Sequence, residues 1–420
     1  MIKRAQAKFD SLLTEYSPRF GLDLNYFVKN GFWLNVSQFF NILKYFVLSI
    51  IFANFLTKNA FGEYNFIMSV LAIMSVIALP GMSNTIFKSV SEKFHGNYFL
   101  SLKKIFNYSL IGSLALIFVS AYYFFSNFIL ASAFLFLAVI FPIYILCPQY
   151  VNFFNGLKKF ELQAKLSSFF NFISTLIIIG VVFYTNNILY ILLSMILTQV
   201  LIQGYYTFFL VKKYIKNNNV DLKSVEFGKK ISLSSAYSTV ALRLDSLIVA
   251  TLLGFEELAI YTIITVIPNQ IKTMSSTFTP LFLPKLVENK NTTKKDIRRH
   301  FWRILLITSG LILVYVVCAK FIFQIFYPQY LAYWKWSALF SISILSFATT
   351  IQYAYFIKCN ASKIINITTI VLSTYVMVGS FFWIYYFGIM GAIINKIIFR
   401  FLGFIFYEIG LNKLDTGKNE

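Results

Sequence analysis

The chain has 420 residues, of which 58% are hydrophobic, and its 37 Lys and Arg residues against 16 Asp and Glu residues give a formal net charge of +21. Only 13% of the residues are charged and the mean hydropathy is +0.70, so the composition excludes an ordinary soluble domain. The basic residues are spread over many short segments and form no single patch, which argues against a nucleic-acid interface as the reason for the charge.

Apolar runs longer than about 18 residues recur from end to end and predict an all-α polytopic membrane protein. We predict about twelve transmembrane helices, at 30–56, 65–87, 105–125, 128–148, 164–184, 188–211, 231–253, 258–286, 301–323, 334–357, 364–387 and 388–410. The connections between them are short, and no soluble domain is expected on either side of the membrane.

The turns between the predicted spans alternate in charge. Most Lys and Arg residues lie in one set of turns and at the two termini, whereas the opposite set of turns holds Lys58 alone. Because basic turns are retained in the cytoplasm, this pattern predicts a multi-pass protein with both termini cytoplasmic.

A faint internal repeat divides the spans into two groups of six. The segment 60–64 (AFGEY) follows the first span, and the comparable segment 257–261 (ELAIY) follows the seventh. Two six-helix bundles related by an axis along the membrane normal would produce such a repeat. We therefore expect a cytoplasmic basic lead-in at 1–29, an N-terminal bundle at 30–211, a cytoplasmic linker at 212–230, a C-terminal bundle at 231–410 and a cytoplasmic tail at 411–420.

Ionisable residues near the middle of the predicted spans point to the functional site. Arg243 and Asp245 lie in the seventh span, and Lys272 lies in the eighth. An ionisable side chain at this depth costs about 2.5–3.5 kcal/mol on insertion scales, so three of them in adjacent spans are hard to explain by packing. They indicate a polar, water-accessible cavity that handles a charged cargo.

Polar side chains at helical spacing extend this predicted site to the first and twelfth spans. Hydrogen bonding between helices is the ordinary use of such polar stripes and stays an alternative for their uncharged members. The residues that we expect to bind the cargo are Lys44, Arg243, Lys272, Arg400, Lys396, Asn41 and Asn269.

The sign of the predicted cavity indicates its cargo, because five basic residues face the single carboxylate of Asp245. A cationic cavity suits an anion such as a phosphate or diphosphate and is the wrong sign for a cationic drug. Arg243 is two positions from Asp245 and points to another side of the helix, so we expect Asp245 to pair with Lys272, Lys44 or another neighbour. Two roles stay open for Asp245: a buried ion pair that fixes two helices, or a proton- or ion-coupling site.

Motifs of soluble-type chemistry are absent from the sequence, which has no Walker A loop, no dinucleotide fingerprint and no HExxH. The two histidines lie in predicted cytoplasmic loops, and the three cysteines lack the spacing of a metal site. We therefore expect no catalytic residues, no metal and no cofactor, and we expect that the chain is not an enzyme.

Several segments resemble a known family. The sequence 243–245 (RLD) followed by 252–261 (LLGFEELAIY) resembles the Wzx-type O-antigen and polysaccharide flippases of the multidrug/oligosaccharidyl-lipid/polysaccharide (MOP) exporter superfamily. The segment 61–64 (FGEY) is similar to the corresponding helix entry in the first half, and 155–160 (NGLKKF) is similar to the turn after span four. The segment 325–330 (IFYPQY) is similar to the turn after span nine, although Tyr327 replaces the usual glycine.

The resemblance covers nearly the whole chain. It implies two six-helix bundles around a central cavity in the bacterial cytoplasmic (inner) membrane. It also implies that the cavity moves an undecaprenyl-diphosphate-linked oligosaccharide to the periplasmic leaflet by alternating access, coupled to a proton or sodium gradient. Besides that glycan, the partners expected are membrane lipids, a polysaccharide polymerase and a chain-length regulator, with no nucleic acid.

Two other classes of function stay open at this point. A membrane polymerase, ligase or acyltransferase would place catalytic residues in a large extracytoplasmic loop or a buried His/Asp site, and the short, nearly uncharged outer turns argue against it. A drug or cation antiporter on the same scaffold is disfavoured by the sign of the predicted cavity.

Overall fold

The protein is described by a computed structural model that covers residues 24–273, 293–359 and 361–414, and these residues are almost entirely helical. Short 3₁₀ and π segments join some of the helices. The α-helices are α1 (Leu24–Phe55), α2 (Lys58–Met74), α3 (Met82–Ser91), α4 (Asn97–Tyr123), α5 (Phe128–Leu146), α6 (Tyr150–Gly156), α7 (Phe160–Tyr184), α8 (Ile188–Thr198), α9 (Leu222–Leu252), α10 (Phe255–Thr273), α11 (Lys294–Phe326), α12 (Trp334–Phe340), α13 (Thr349–Lys358) and α14 (Ser362–Lys413).

The all-α polytopic membrane class predicted from the sequence is confirmed. Eight stretches of the described residues are long and apolar enough to cross a bilayer. The last of them, Lys363–Lys413, covers the two predicted spans 364–387 and 388–410, which meet at a break where Gly388 has φ 58°. The predicted span 65–87 is divided between α2 and α3, and the part of span 258–286 after Thr273 lies outside the described residues.

Capping side chains set the start of several helices at one end of the bundle. Thr57, Asn127 and Asn187 each accept a hydrogen bond from a backbone N–H in the first turn of α2, α5 and α8. We call this end, with turns at 56–57, 124–127, 185–187 and 253–254, the opposite end, and the end with turns at 92–96, 157–159 and 215–221 the basic end. Caps satisfy backbone groups that would otherwise meet the edge of the hydrocarbon layer without partners.

The two halves of the chain meet along a seam where backbones approach closely. At the opposite end a Cβ atom on Gly62 would lie 1.8 Å from the carbonyl oxygen of Phe255, and at the basic end one on Gly81 would lie 2.2 Å from that of Gly228. The backbone N–H of Gly81 donates to Ser232 Oγ at 3.0 Å. Only glycine permits such approaches, so these positions fix α2 and α3 against α10 and α9.

A segment between the halves, residues 215–221, is held against the turn at 92–96. The buried His95 ring accepts a hydrogen bond at Nδ1 from the backbone N–H of Lys216 (3.1 Å), and the backbone N–H of His95 donates to Asn217 Oδ1 (3.3 Å). Asn97 exchanges two hydrogen bonds with the backbone of Asp221, at 2.9 and 3.0 Å. The segment is therefore an ordered connection that α9 continues from Leu222.

Replacing Gly62 or Gly81 by alanine should destabilise the protein by about 1–3 kcal/mol, because the added Cβ atom meets backbone that cannot move independently. Thermal unfolding of the purified protein in detergent measures this loss. Gly180→Ala and Gly310→Ala are matched controls, since a Cβ atom at either position has no neighbour within 4 Å among the described residues. Equal midpoints for all four variants would contradict the close seam.

Acidification should loosen the 215–221 segment. Burial and the nearby charge of Lys216 lower the pKa of His95 below its ordinary value, so the folded state favours the neutral ring that accepts the Lys216 N–H. The stability contributed by this ring is fully present above the unfolded pKa of about 6.5 and is lost as the pH falls below it towards the lowered pKa. Amide hydrogen exchange in 215–221, corrected for intrinsic rates, should accelerate at low pH. In His95→Gln, which has no titratable ring, this pH dependence should disappear.

Candidate functional site

A cavity of about 880 Å³ lies between the two halves of the chain. Its walls come mainly from α1, α2, α9, α10 and α14, with smaller contributions from α5, the segment that follows α5 and the segment that follows α8. On α1 the lining runs from Phe52 towards the basic end as far as Gln38, and on α10 it runs from Tyr261 to Thr273. The cavity therefore begins one to two turns from the opposite end of these helices and extends towards the basic end.

Contacts between the halves lie beyond the cavity at the opposite end. Asn54 Nδ2 donates to the Phe326 carbonyl at 2.8 Å, and Gln329 Nε2 donates to the Asn54 carbonyl at 3.2 Å. The Gly62 and Phe255 backbones touch in the same region. These contacts close the structure on that side of the cavity.

One wall of the cavity is cationic. Arg243 on α9, Lys272 on α10, and Lys396 and Arg400 on α14 all line it. The last two are four residues apart and so lie on the same face of their helix. Among the described residues, no Asp or Glu side chain lines the cavity. All four cations come from the second half of the chain.

The other wall, from the first half of the chain, is polar and uncharged. It presents amide, hydroxyl and phenol groups beside a few apolar side chains. Its polar members are Gln38, Asn41, Tyr45, Ser49, Tyr64, Asn65, Ser69, Ser75, Tyr144 and Gln199.

Asp245 sits behind the cationic wall and is 1% exposed. Its Oδ2 atom lies 2.6 Å from Lys396 Nζ and also accepts a hydrogen bond from the Tyr261 hydroxyl. Its Oδ1 atom is buried without a hydrogen-bond partner among the described residues. Lys396 is thus the one cation of the wall that is neutralised by a carboxylate in the described part of the chain.

The other three cations have no carboxylate partner among the described residues. Lys272 lies close enough to Lys396 and Arg400 to be repelled by both of them. The Nε atom of Arg400 is buried with no hydrogen-bond partner, and Arg243 is exposed. Unpaired, mutually repelling cations are stable at mid-membrane only where water or an anion compensates them.

The structure brings together most of the residues predicted to bind the cargo. Asn41, Arg243, Lys272, Lys396 and Arg400 line the one cavity, and so does Asn269. The exception is Lys44, which lies outside the lining.

The ammonium group of Lys44 points to α7, where it donates to Ser174 Oγ at 2.7 Å and lies 4.6 Å from the centre of the Phe170 ring. The expectation that Lys44 shares the cavity therefore has to be corrected. Lys44 is three residues from Asn41, and the packing of α1 on α7 turns that edge of the helix away from the cavity.

The sequence reasoning missed two parts of the site. The first is the contribution of α2, where Asn65 and Ser69, four residues apart, face the cavity. Their spacing follows a helical face, so this signal was present in the sequence. The second is the partner of Asp245, which is Lys396 of span twelve. The Tyr261 hydroxyl is the second donor to the Asp245 carboxylate.

The fold has known counterparts among membrane transporters. A structure described as lipid II flippase MurJ in an inward closed conformation aligns with a TM-score of 0.69 at 13% identity, covering 92% of this chain and 88% of that one. An outward-facing multidrug resistance MATE family transporter of the MOP superfamily aligns with a TM-score of 0.63 at 12% identity, covering 94% and 97%. MATE in its bent conformation gives a TM-score of 0.53 at 12% identity, covering 92% and 95%.

The fold and the cavity thus define a multi-pass membrane protein with the architecture of MOP-superfamily flippases and transporters. The model of the polysaccharide biosynthesis protein family matches residues 27–284. The chain belongs to that family, and the resemblance seen in the sequence is confirmed. Curated protein sequences gave no match.

Removing either member of the Asp245 and Lys396 pair should destabilise the fold by about 3–5 kcal/mol, because the remaining charge is left buried and uncompensated. The double variant Asp245→Asn/Lys396→Met should recover most of this loss, since it leaves neither charge behind. Denaturant or thermal unfolding of the two single variants and the double variant measures the coupling. Losses that simply add would show that the ion pair contributes no energy.

Proposed function

We propose that this protein is a flippase that moves an undecaprenyl-diphosphate-linked oligosaccharide across the bacterial cytoplasmic membrane by alternating access. One observation carries the proposal: among the described residues, four cations and no carboxylate line a single mid-membrane cavity between the two halves of the chain. Membership of the polysaccharide biosynthesis family and the likeness to a lipid II flippase support the same class of cargo.

The cationic wall fits the diphosphate. Arg243, Lys272 and Arg400 have no carboxylate partner among the described residues, so an entering anion does not have to break an existing ion pair with them. A guanidinium binds phosphate oxygens through two parallel hydrogen bonds, and an ammonium provides a compact charge beside them. A diphosphate would also relieve the repulsion within this wall.

The uncharged wall fits the oligosaccharide. Amides and hydroxyls both donate and accept hydrogen bonds, which suits the hydroxyl groups of sugars. Asn41, Asn65 and Gln199 lie there together with Tyr45, Tyr64 and Tyr144, whose rings offer flat apolar surface to a sugar face. On this proposal the headgroup spans the cavity, with phosphate at one wall and glycan at the other.

The orientation and the domain division form part of the proposal. Positive turns at the basic end support placing that end and both termini in the cytoplasm. In that orientation the cavity lining extends from near the periplasmic ends of these helices towards the cytoplasmic side, and the contacts at the opposite end close it to the periplasm. The six-helix halves at 30–211 and 231–410, joined through 212–230, would move relative to each other to reverse this access. Asp245 is the proposed site of ion coupling.

The MATE-like fold also keeps a drug or cation antiporter as a candidate. The cavity opposes it, because a cationic drug would meet unpaired positive charges and no lining carboxylate among the described residues. A susceptibility assay of the deletion strain against cationic drugs separates the two functions.

Arg243→Ala and Lys272→Ala should each reduce surface polysaccharide by about tenfold or more, since a charge-assisted hydrogen bond contributes about 1.5–3 kcal/mol. The measurement is the surface glycan of a deletion strain complemented with each variant, with an immunoblot of the membrane fraction to confirm insertion.

The matched control is Lys320→Ala, which removes an exposed lysine of α11 that does not line the cavity. Lipid-linked repeat units should accumulate on the cytoplasmic face of the two cavity variants. Wild-type amounts of surface polymer from both of them would contradict the proposed function.

A further inference from the structure

The arrangement around Asp245 carries an inference that rests on the proposed function and extends it. The Asp245 carboxylate binds the Lys396 ammonium as a phosphate oxygen would, with Lys396 Nζ 2.6 Å from Asp245 Oδ2. Lys396 contacts both the cavity and Asp245. Its side chain is 13% exposed and lines the cavity, and its ammonium is paired with the Asp245 carboxylate behind the wall. Any anion that enters the cavity therefore competes with Asp245 for this ammonium.

We propose that Asp245 is an internal substitute for the substrate phosphate, and that anion binding is exchanged for protonation of Asp245. The entering phosphate takes the Lys396 N–H groups, and the hydrogen bond from Lys396 to Oδ2 breaks. The released carboxylate is left buried and takes up one proton from the buffered solution by way of cavity water, becoming a neutral carboxylic acid. No other reactant is needed.

The two oxygens of Asp245 have unequal surroundings that suit this exchange. Oδ2 keeps its hydrogen bond from the Tyr261 hydroxyl after Lys396 leaves. Oδ1 is buried and has no partner among the described residues, so it is the free position on which the incoming proton can reside. A permanent structural ion pair would gain from donors on both oxygens.

The other titratable groups on α2, α3, α10 and α14, which pack against α9, make the following contacts. From α10 the group that faces Asp245 is Tyr261, and from α14 Lys396 binds it and Arg400 is near enough to attract it. The charged residues of α2 and α3 engage elsewhere: Lys58 with the Tyr330 ring, Glu63 with Asn59 and Asn127, and Lys88 with the Phe227 ring. Tyr64 of α2 donates to Met195 Sδ.

Mutual repulsion among the cations of the wall favours the exchange of the Asp245 carboxylate for a bound anion. Lys272 is repelled by Lys396 and Arg400. Without substrate, Asp245 removes the charge of Lys396 from this set. A bound diphosphate brings two negative charges where Asp245 supplies one, so the net positive charge of the wall falls on binding even when Asp245 is protonated. Binding of one anion is thus linked to uptake of about one proton.

The test is calorimetry of the full-length protein in lipid nanodiscs with dimethyl diphosphate as the probe. Both phosphates of this probe are esterified, so it does not itself titrate near neutral pH. Titrations in buffers of different ionisation enthalpy give the number of protons taken up on binding. The wild type should take up about one proton per probe bound.

Asp245→Asn should bind the probe with almost no proton uptake, and about tenfold more tightly, because the internal competitor is gone. The double variant Asp245→Asn/Lys396→Gln takes the place of the single variant if that variant does not insert. It leaves no unpaired charge, and its proton uptake on probe binding is measured in the same way. Glu63→Gln is the matched control: it removes another buried carboxylate, outside the cavity lining, and should keep the wild-type uptake.

Two outcomes separate the inference from the function on which it rests. Probe binding by the wild type without proton uptake, or unchanged uptake in both Asp245 variants, overturns the exchange and leaves the flippase proposal intact. Failure of the wild type to bind the probe, or binding that is insensitive to Arg243→Ala and Lys272→Ala, overturns both.

Discussion

The structure depends on one constraint: four positive side chains share a mid-membrane cavity, and only one of them is neutralised by a carboxylate within the described residues. Charge of one sign in a medium of low dielectric constant is costly, and each cation raises the cost of the next. The protein meets this cost in two ways. It keeps the cations on the wall of a cavity of about 880 Å³, and it holds Asp245 directly behind that wall. The polar first-half wall faces the cations across this cavity, and contacts between the halves close it at the opposite end.

The cavity joins two different chemistries because its walls come from different halves of the chain. Among the described residues that line the cavity, the second half contributes every cation, whereas the first half contributes amides, hydroxyls and phenols. A substrate that is part phosphate and part sugar needs both kinds of surface at once. Movement of one half against the other would separate the two surfaces, so full recognition requires both halves in the described arrangement. This division links the fold of the chain to the amphiphilic nature of the proposed cargo.

Sequence reasoning was reliable where a signal is local. Long apolar runs located the spans, and ionisable residues within them identified Arg243, Lys272, Lys396 and Arg400, which do line one cavity. It failed where the answer depends on how a helix is rotated about its axis. Lys44 and Asn41 are one turn apart, yet packing on α7 directs Lys44 to Ser174 and leaves Asn41 in the cavity. The pairing of Asp245 with Lys396 joins helices about 150 residues apart in sequence, and no local pattern encodes which of several lysines will reach it.

The seam at Gly62, Gly81 and Gly228 has a mechanical consequence. Backbone meets backbone at Gly62 and Gly81, and the side chains that join the contact at the basic end are small, Ser232 beside Gly81 and Thr85 beside Gly228. Interlocked side chains resist sliding, because each must leave one pocket before it enters the next, whereas smooth glycine surfaces present no such barrier. Tilting of the two halves about this line would therefore displace no large side chain at these three points. The hydrogen bonds of Gly81 and Thr85 would hold the halves together there, as a pivot at the margin of the cavity requires.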